Sequence, residues 1–254
     1  VQIGLIAAMP EECRPLLRRV QGWEKCYLGQ FTAYRFRLSG RDCLLVQSGI
    51  GMKRAADAAR ALLAAESPQL LVSFGVAGAV REGLPIGAVV SVGGVILLER
   101  GIARPLMHLA TLSAPARQAA AEALRAHDAQ LVWGTAFTTH GSQVVEGEMS
   151  EMENPLLEME TAAIFQAAAE TKIPLIGLRG ISDNPDQPLP IDPAAVMDED
   201  YHLRVGKLIG LLARHPAILF QAGRMRRNTA MAAENTAIAV ISALSCDPVT
   251  QPEN

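Results

Sequence analysis

The chain opens on a continuous apolar run, Gln2 to Ala8, the pattern of a strand buried on both faces, which empties into Met9-Pro10-Glu11-Glu12, a turn carrying two carboxylates. From Phe31 the pattern alternates, with Tyr34, Phe36 and Leu38 apolar against Arg35 and Arg37, and Ser39-Gly40 turns the chain into Asp42 to Gln47. That predicts a hairpin. After Ser48-Gly49-Ile50-Gly51, an alanine-rich stretch from Met52 to Glu66 has helical composition and is stopped by Pro68. Leu70 to Phe74 resumes as a strand, followed by Gly75-Val76-Ala77-Gly78 and a loop containing glycine and proline. Further along, Ala88 to Leu98, Gln130 to Phe137 and Pro174 to Leu178 read as strands. Ala114 to His127, Glu160 to Thr171 and Met197 to Arg214 read as helices, and after His215-Pro216 another helix is expected from about Asn228 to Leu244.

Strands and helices in this order predict an α/β layer structure with a mostly parallel central sheet, whose ligands gather at the carboxyl ends of strands. Several polar clusters occupy those ends. Composition narrows the function classes. Half of the 254 residues are apolar and 19% are charged, which excludes a disordered chain and predicts one large domain. With 23 basic against 26 acidic residues, net charge −3, there is no basic field for a nucleic-acid backbone. The apolar run from Leu84 to Leu98 is broken by glycines and falls short of the roughly 18 residues a membrane-spanning helix needs. Gln2 to Ala8 lacks the basic flank and cleavage site of a secretion signal. Cys13, Cys26, Cys43 and Cys246 show no C-x-x-C pairing and lie far from the histidines, so neither zinc nor disulfides are expected. Reduced thiols and a cytoplasmic location follow as expectations.

Taken singly, the polar clusters have ordinary explanations. Glu11 and Glu12 suit the first turn of a helix, where acids offset the dipole, and Asp183 suits a turn or cap. Glu158 and Glu160 suit the start of the following helix, and Phe137 suits a core. Their joint order carries more. Ile3 to Glu12, Ser48-Gly49-Ile50-Gly51, Gly75-Val76-Ala77-Gly78, Glu158-Met159-Glu160-Thr161-Ala162-Ala163 and Arg179-Gly180-Ile181-Ser182-Asp183 stand in one sequence. On these five segments the chain resembles the nucleoside phosphorylase and nucleosidase superfamily, nearest to the 5′-methylthioadenosine/S-adenosylhomocysteine nucleosidases.

The resemblance implies a three-layer phosphorylase-like sandwich, a mixed central sheet flanked by helices, with a helical C-terminal extension. It implies a catalytic domain over residues 1–211 and an extension with a loose tail over 212–254. It also implies cleavage of the N-glycosidic bond of an adenosine derivative to release adenine, with no metal or other cofactor. Such a reaction leaves positive charge on the sugar and negative charge on the base, so the leaving purine needs a proton and the anomeric carbon a nucleophile. By resemblance Asp183 is the acid that protonates purine N7, Glu12 deprotonates a water on the opposite face of the ribose, and Arg179 helps orient that water. Glu160 would grip the ribose hydroxyls, Met159 would lie against the sugar, Phe137 would stack on the base and the backbone of Thr138 would read its edge. Met9, Ile50 and Val76, with Ala77, Gly78, Glu158 and Ser182, complete the expected lining.

A phosphorylase in this superfamily binds phosphate where a hydrolase binds water. Glu11 and Glu12 would repel that dianion, which favours water, while Arg14 keeps phosphate as the alternative. Three positions depart from the nucleosidase pattern. Val76 stands where a serine or threonine is common, and the segment from Val92 to Arg117 is short and lacks the aromatic loop around the 5′ group. The chain from about Leu212 onward has no expected counterpart in the compact nucleosidases. Similar tails occur in the branch resembling hopanoid-associated nucleosidases, which act on adenosylhopane, and Arg224, Arg226 and Arg227 would then face an anionic membrane. A solvated helix face is the ordinary reading of those arginines. A non-catalytic nucleoside-binding protein is the rival from another class, and a homodimer is the expected assembly.

Overall fold

The computed structural model describes residues 2–99, 102–139, 149, 151–187 and 217–249. Its centre is one mixed sheet of 11 strands. In chain order the strands are β1 (Ile3–Ala7), β2 (Glu24–Leu28), β3 (Phe31–Leu38), β4 (Arg41–Gln47), β5 (Leu70–Ala79) and β6 (Val89–Glu99). They continue as β7 (Ile102–Ala103), β8 (Met107–His108), β9 (Leu131–Thr138), β10 (Leu156–Glu158) and β11 (Leu175–Asp183). The described helices are α1 (Pro10–Arg19), α2 (Met52–Ala65), α3 (Ala114–Arg125), α4 (Thr161–Thr171) and α5 (Ala217–Leu244).

The main path through the sheet is β10-β9-β6-β11-β5-β1-β4-β3-β2, with β7 and β8 attached to β6. Strands β1, β4, β5 and β11 are mutually parallel, the core of the doubly covered sheet that continuous apolar runs predict. β6 runs antiparallel to β11, and β10 pairs in parallel with β9 and antiparallel with β5 through Leu156↔Ala79 and Leu157↔Gly78. The sheet therefore curls until β5, β11, β6, β9 and β10 form a closed ring of paired strands. Among the described residues five strand pairings are parallel and six antiparallel, so the sheet is less parallel than the apolar runs suggest.

Two apolar layers cover the sheet. Ala55, Ala58, Ala59 and Leu62 of α2 join Ala162, Ile164, Ala167 and Ala168 of α4 on one face. On the other, Cys13, Leu16 and Leu17 of α1 and Ala116, Ala120 and Leu124 of α3 meet Ala237, Ile238, Val240, Ala243 and Leu244 of α5. Alanine at the contact points lets helices lie close to strands that supply the larger valines and leucines. The three-layer sandwich is thus present, and α5, the described part of the 212–254 segment, shares a core with α1, α3 and the sheet. Asp183 ends the last strand before α5, and the helix expected from Met197 to Arg214 lies outside the described residues.

Local chemistry explains the element ends. Pro10 opens α1, where no intrahelical N–H bond is needed, and the Ser113 hydroxyl accepts the Ala116 N–H (3.3 Å) at the start of α3. The β3–β4 hairpin turns through Ser39 and Gly40, both with positive φ (51° and 82°). Two expected strands are longer than their apolar runs. β5 continues through Gly75-Val76-Ala77-Gly78, expected as a loop, and β11 continues to Asp183, because the two extensions pair with each other: Arg179↔Gly75, Gly180↔Val76, Ile181↔Ala77. All four cysteines are free. Among the described residues no helix is long and apolar enough to cross a membrane.

Candidate active site

The carboxyl ends of β1, β4, β5 and β11 meet on one rim, and the chain leaving each end supplies polar groups there. β1 runs into the first turn of α1, which places Glu12 back over the sheet. Its side chain is buried, with Oε2 accepting the N–H groups of Ala8 (2.9 Å) and Met9 (2.8 Å) and Oε1 accepting that of Val76 (2.9 Å). Burial pushes its carboxyl above the usual range, while the Met9 and Val76 N–H groups and the charge of Arg179 pull against that. A side chain at Gly75 would collide with Glu12 Oε1, so the carboxylate rests directly on bare backbone.

Asp183 occupies the same relation to Gly78. A Cβ on that glycine would lie 2.5 Å from Asp183 Oδ2. A bulge between Ile181 and Asp183 shifts the register so that Asp183 pairs with Gly78. The Ser182 hydroxyl donates to Asp183 Oδ1 (2.7 Å), and burial pushes this carboxyl up despite that bond. Gly75 and Gly78 are three residues apart on β5, roughly 10 Å of strand, so the two carboxyls meet the same strand at separate points. Asp183 is not among the residues lining the cavity that contains Glu12.

Glu160 caps α4 and leans across to the β4 end, where Oε1 accepts the Gly51 N–H (2.8 Å). Burial, the charge of Glu158 and, more weakly, that of Glu12 raise its pKa to about 8. Glu12, Glu160, Arg179 and Ser73 line a small cavity. Met9, Ile50, Met159 and Val76 are partly exposed beside these groups, and Val76 acts through its main-chain N–H, which any side chain there would leave in place.

Four expected site residues have their side chains bonded or packed within the protein. Arg179 is buried in β11 and its donors go to Ser73 Oγ (2.7 Å), Thr161 Oγ1 (2.8 Å), Glu158 Oε2 (3.1 Å) and the Leu178 carbonyl (3.1 Å). It contributes charge to the cavity while its bonds hold the site's floor together. Glu158 is the other half of that ion pair and also accepts the N–H groups of Glu160 (3.0 Å) and Thr161 (2.8 Å). Burial pushes Glu158 up, but Arg179 and the Thr138 and Thr161 hydroxyls outweigh it and hold the carboxyl below the usual range. Thr138 is fully buried, its hydroxyl donating to Glu158 and accepting the Ala162 N–H (3.0 Å). Phe137 has no exposed surface and packs with Ile96, Leu98 and Met149 in a third apolar cluster, away from the cavity.

Ser73, Thr161 and Gly51 were not singled out from the sequence for the bonds they make. Gly51 and Thr161 lie inside motif segments, whereas nothing in the sequence marks Ser73 as the partner of Arg179. Ala77 and Ser182 are buried beside Asp183, the Ser182 hydroxyl also lying 3.3 Å from the Ala77 carbonyl.

Comparison with known proteins agrees with this arrangement. The sequence model of the phosphorylase superfamily matches residues 2–204. A 5′-methylthioadenosine/S-adenosylhomocysteine nucleosidase of Listeria monocytogenes is 29% identical over 220 residues, 79% of this chain and 92% of that protein. One of Maridesulfovibrio salexigens is 30% identical over 198 residues, 72% of this chain and 86% of its own. Among solved structures, the Neisseria meningitidis nucleosidase in complex with methylthio-immucillin-A superposes with TM-score 0.69 at 21% identity, covering 96% of this chain and 98% of that one. The futalosine hydrolase of Helicobacter pylori gives 0.68 at 18%, covering 96% and 97%. Spans of that extent take in most of α5, so the expectation that the chain from Leu212 onward lacks a counterpart is not met.

Proposed function

Because this chain belongs to the phosphorylase superfamily, we propose that it cleaves the N-glycosidic bond of a purine nucleoside with water as nucleophile, releasing adenine from a 5′-thio-substituted adenosine such as methylthioadenosine or S-adenosylhomocysteine. The observation that carries the reading is the pair of carboxyls, buried Glu12 and half-buried Asp183, resting on Gly75 and Gly78 of one strand. The names of the relatives at 29% and 30% identity support the substrate class.

In this reading the purine lies toward Asp183 and the ribose toward Glu12 and Glu160. Asp183, whose carboxyl burial pushes above its usual range, gives its proton to the departing base, so the C–N electron pair leaves on a neutral purine. Glu12, whose oxygens face three N–H donors that favour the carboxylate, takes a proton from water at the anomeric carbon, and the burial that pushes its pKa up makes it the stronger base. Glu160 meets the ribose hydroxyls. Phosphate is disfavoured because Arg179, the cation that lines the cavity, is already neutralised by Glu158. Arg14, which the phosphorylase alternative would need, is exposed and stands 3.5 Å from Glu11.

Purified protein should release adenine from methylthioadenosine in phosphate-free buffer, yielding the free sugar. Asp183→Asn should lower kcat by roughly 10²–10⁴-fold while leaving the circular dichroism melt in place. Appearance of ribose 1-phosphate only when phosphate is added would transfer the assignment to a phosphorylase. A panel with S-adenosylhomocysteine, inosine, aminodeoxyfutalosine and an adenosyl-lipid settles the 5′ group. The proposal includes a homodimer in the cytoplasm, for which sedentation of twice the 27.1 kDa chain mass is the check.

A further inference from the structure

Helix α5 touches the sheet behind the very peptide that holds Glu12. Gly180 of β11 pairs with Val76 of β5, and a side chain at Gly180 would strike the Ala232 carbonyl, so α5 lies with its backbone against this point of the ladder. One turn on, Thr236 is fully buried. Its hydroxyl oxygen lies 2.7 Å from Ala232 O of its own helix and reaches Gly75 O at 3.4 Å, so its one proton is shared between the two acceptors. The Gly75 carbonyl and the Val76 N–H belong to one peptide group, and that N–H donates to Glu12 Oε1 at 2.9 Å. The same helix is tied to α1, which carries Glu12, through Glu234 paired with Arg18 (2.7 Å) and with Arg19.

We propose that Thr236 is a positioning residue for Glu12, acting through the Gly75–Val76 peptide, so that the C-terminal helix sets the placement and basicity of the group read above as the base. A donor at the Gly75 carbonyl polarises that peptide and strengthens its N–H toward the carboxylate. Removing the hydroxyl leaves the Gly75 carbonyl facing a methyl group and weakens the grip on the ionised form of Glu12. The inference rests on the reading of Glu12 as base for its consequence in turnover, and on geometry alone for its effect on Glu12 itself. Other charged and titratable groups around Glu12 are Arg179 from β11, Glu160 at the cap of α4, Glu158 of β10, and Glu11, Cys13 and Arg14 on its own helix. Glu234, on α5, is spent on α1.

The test is carboxyl-¹³C NMR of glutamate-labelled protein titrated with acid and base, the Glu12 resonance being assigned by its loss in Glu12→Gln. Thr236→Val, and Thr236→Ala as the smaller variant should valine disturb folding, are expected to raise the Glu12 midpoint by about 0.5 pH unit or more. Thr236→Ser should keep the wild-type midpoint. In turnover, Thr236→Val should lower kcat about five-fold with KM little changed and move the acidic limb of the pH profile upward, and serine should restore both. A wild-type midpoint in folded Thr236→Val or Thr236→Ala overturns the inference, as does an equal shift in Thr236→Ser, which would point to packing rather than the hydroxyl. Because the titration needs no substrate, a chain that hydrolyses no nucleoside defeats the functional proposal and leaves this result readable.

Discussion

Glu12 is held by three main-chain donors and Asp183 by one serine hydroxyl, and each carboxyl stands where a neighbouring residue has no side chain. A methyl group at Gly75 must displace the Glu12 carboxylate, which cannot move without giving up the Val76 bond. Gly75→Ala should therefore lower kcat by roughly 10²-fold, the scale of a 1 Å misplacement, with a smaller change in melting temperature, as steady-state kinetics beside a thermal melt will show. Glu160 governs a pH effect. Between the ordinary glutamate pKa of about 4.3 and its raised value of about 8, the folded chain retains a proton that the unfolded chain releases, so stability falls as pH rises through that window. Glu12 and Asp183 are raised in the same direction and add to the slope. Glu160→Gln should make Tm visibly less dependent on pH between 5 and 8, measured by calorimetry. At this scale Glu12 and Asp183 were legible in the sequence as acids at strand ends, because they fall at fixed places in ordered motifs. The donors that hold Glu12 were not, since main-chain N–H groups leave no mark on a side-chain alphabet. The burial of Phe137 was not legible either: an aromatic at the end of a strand reads alike whether it faces a ligand or a core.

At the level of elements, long periodic segments were readable and short ones were not. β3, β4, α2, α3 and α4 fall within a few residues of their expected bounds, because each buries one regular face. β7, β8 and β10 are two or three residues long, too short for a period, and exist through the strands they pair with. Met9 to Glu12 was read both as a turn and, from its two acids, as the first turn of a helix; it is the latter, with proline at its start. α5 was expected from about Asn228, yet it begins at Ala217. Its far end is closed by another element: Arg41, at the start of β4, donates to the carbonyls of Leu244 (2.7 Å) and Cys246 (2.9 Å). These are carbonyls that a helix end leaves without partners of its own. Arg41→Met keeps the apolar stem and removes the charge-assisted bonds. It should cost about 1–2 kcal/mol and lower Tm by roughly 2–8 °C, read by calorimetry.

For the whole molecule the informative choice is between a finished domain carrying an addition and a fold that needs its last helix. Ala232, Ala233, Ala237, Ala239 and Val240 are each no more than 1% exposed, and the layer they enter also contains Cys13 and Leu16 of the helix that bears Glu12. A chain ending at residue 211 should consequently lose its cooperative melt and expose apolar surface to a dye such as ANS, while deletion of residues 250–254 should leave the melt unchanged. A truncated chain with native cooperativity and activity would support the division at 211/212. Fold class was legible because it depends on the alternation of elements, which survives errors at their ends. The curling of the sheet was not, because it depends on one three-residue strand finding two partners.

That strand has a further consequence. β10 clasps β9 along one margin and β5 along the other, and Glu158 at its tip is anchored to Arg179 across the ring. Like a hoop, such a loop of strands shares any local strain around its circumference, and Asp183 lies on it. In the proposed reading, the placement of that acid and resistance to unfolding are one mechanical property.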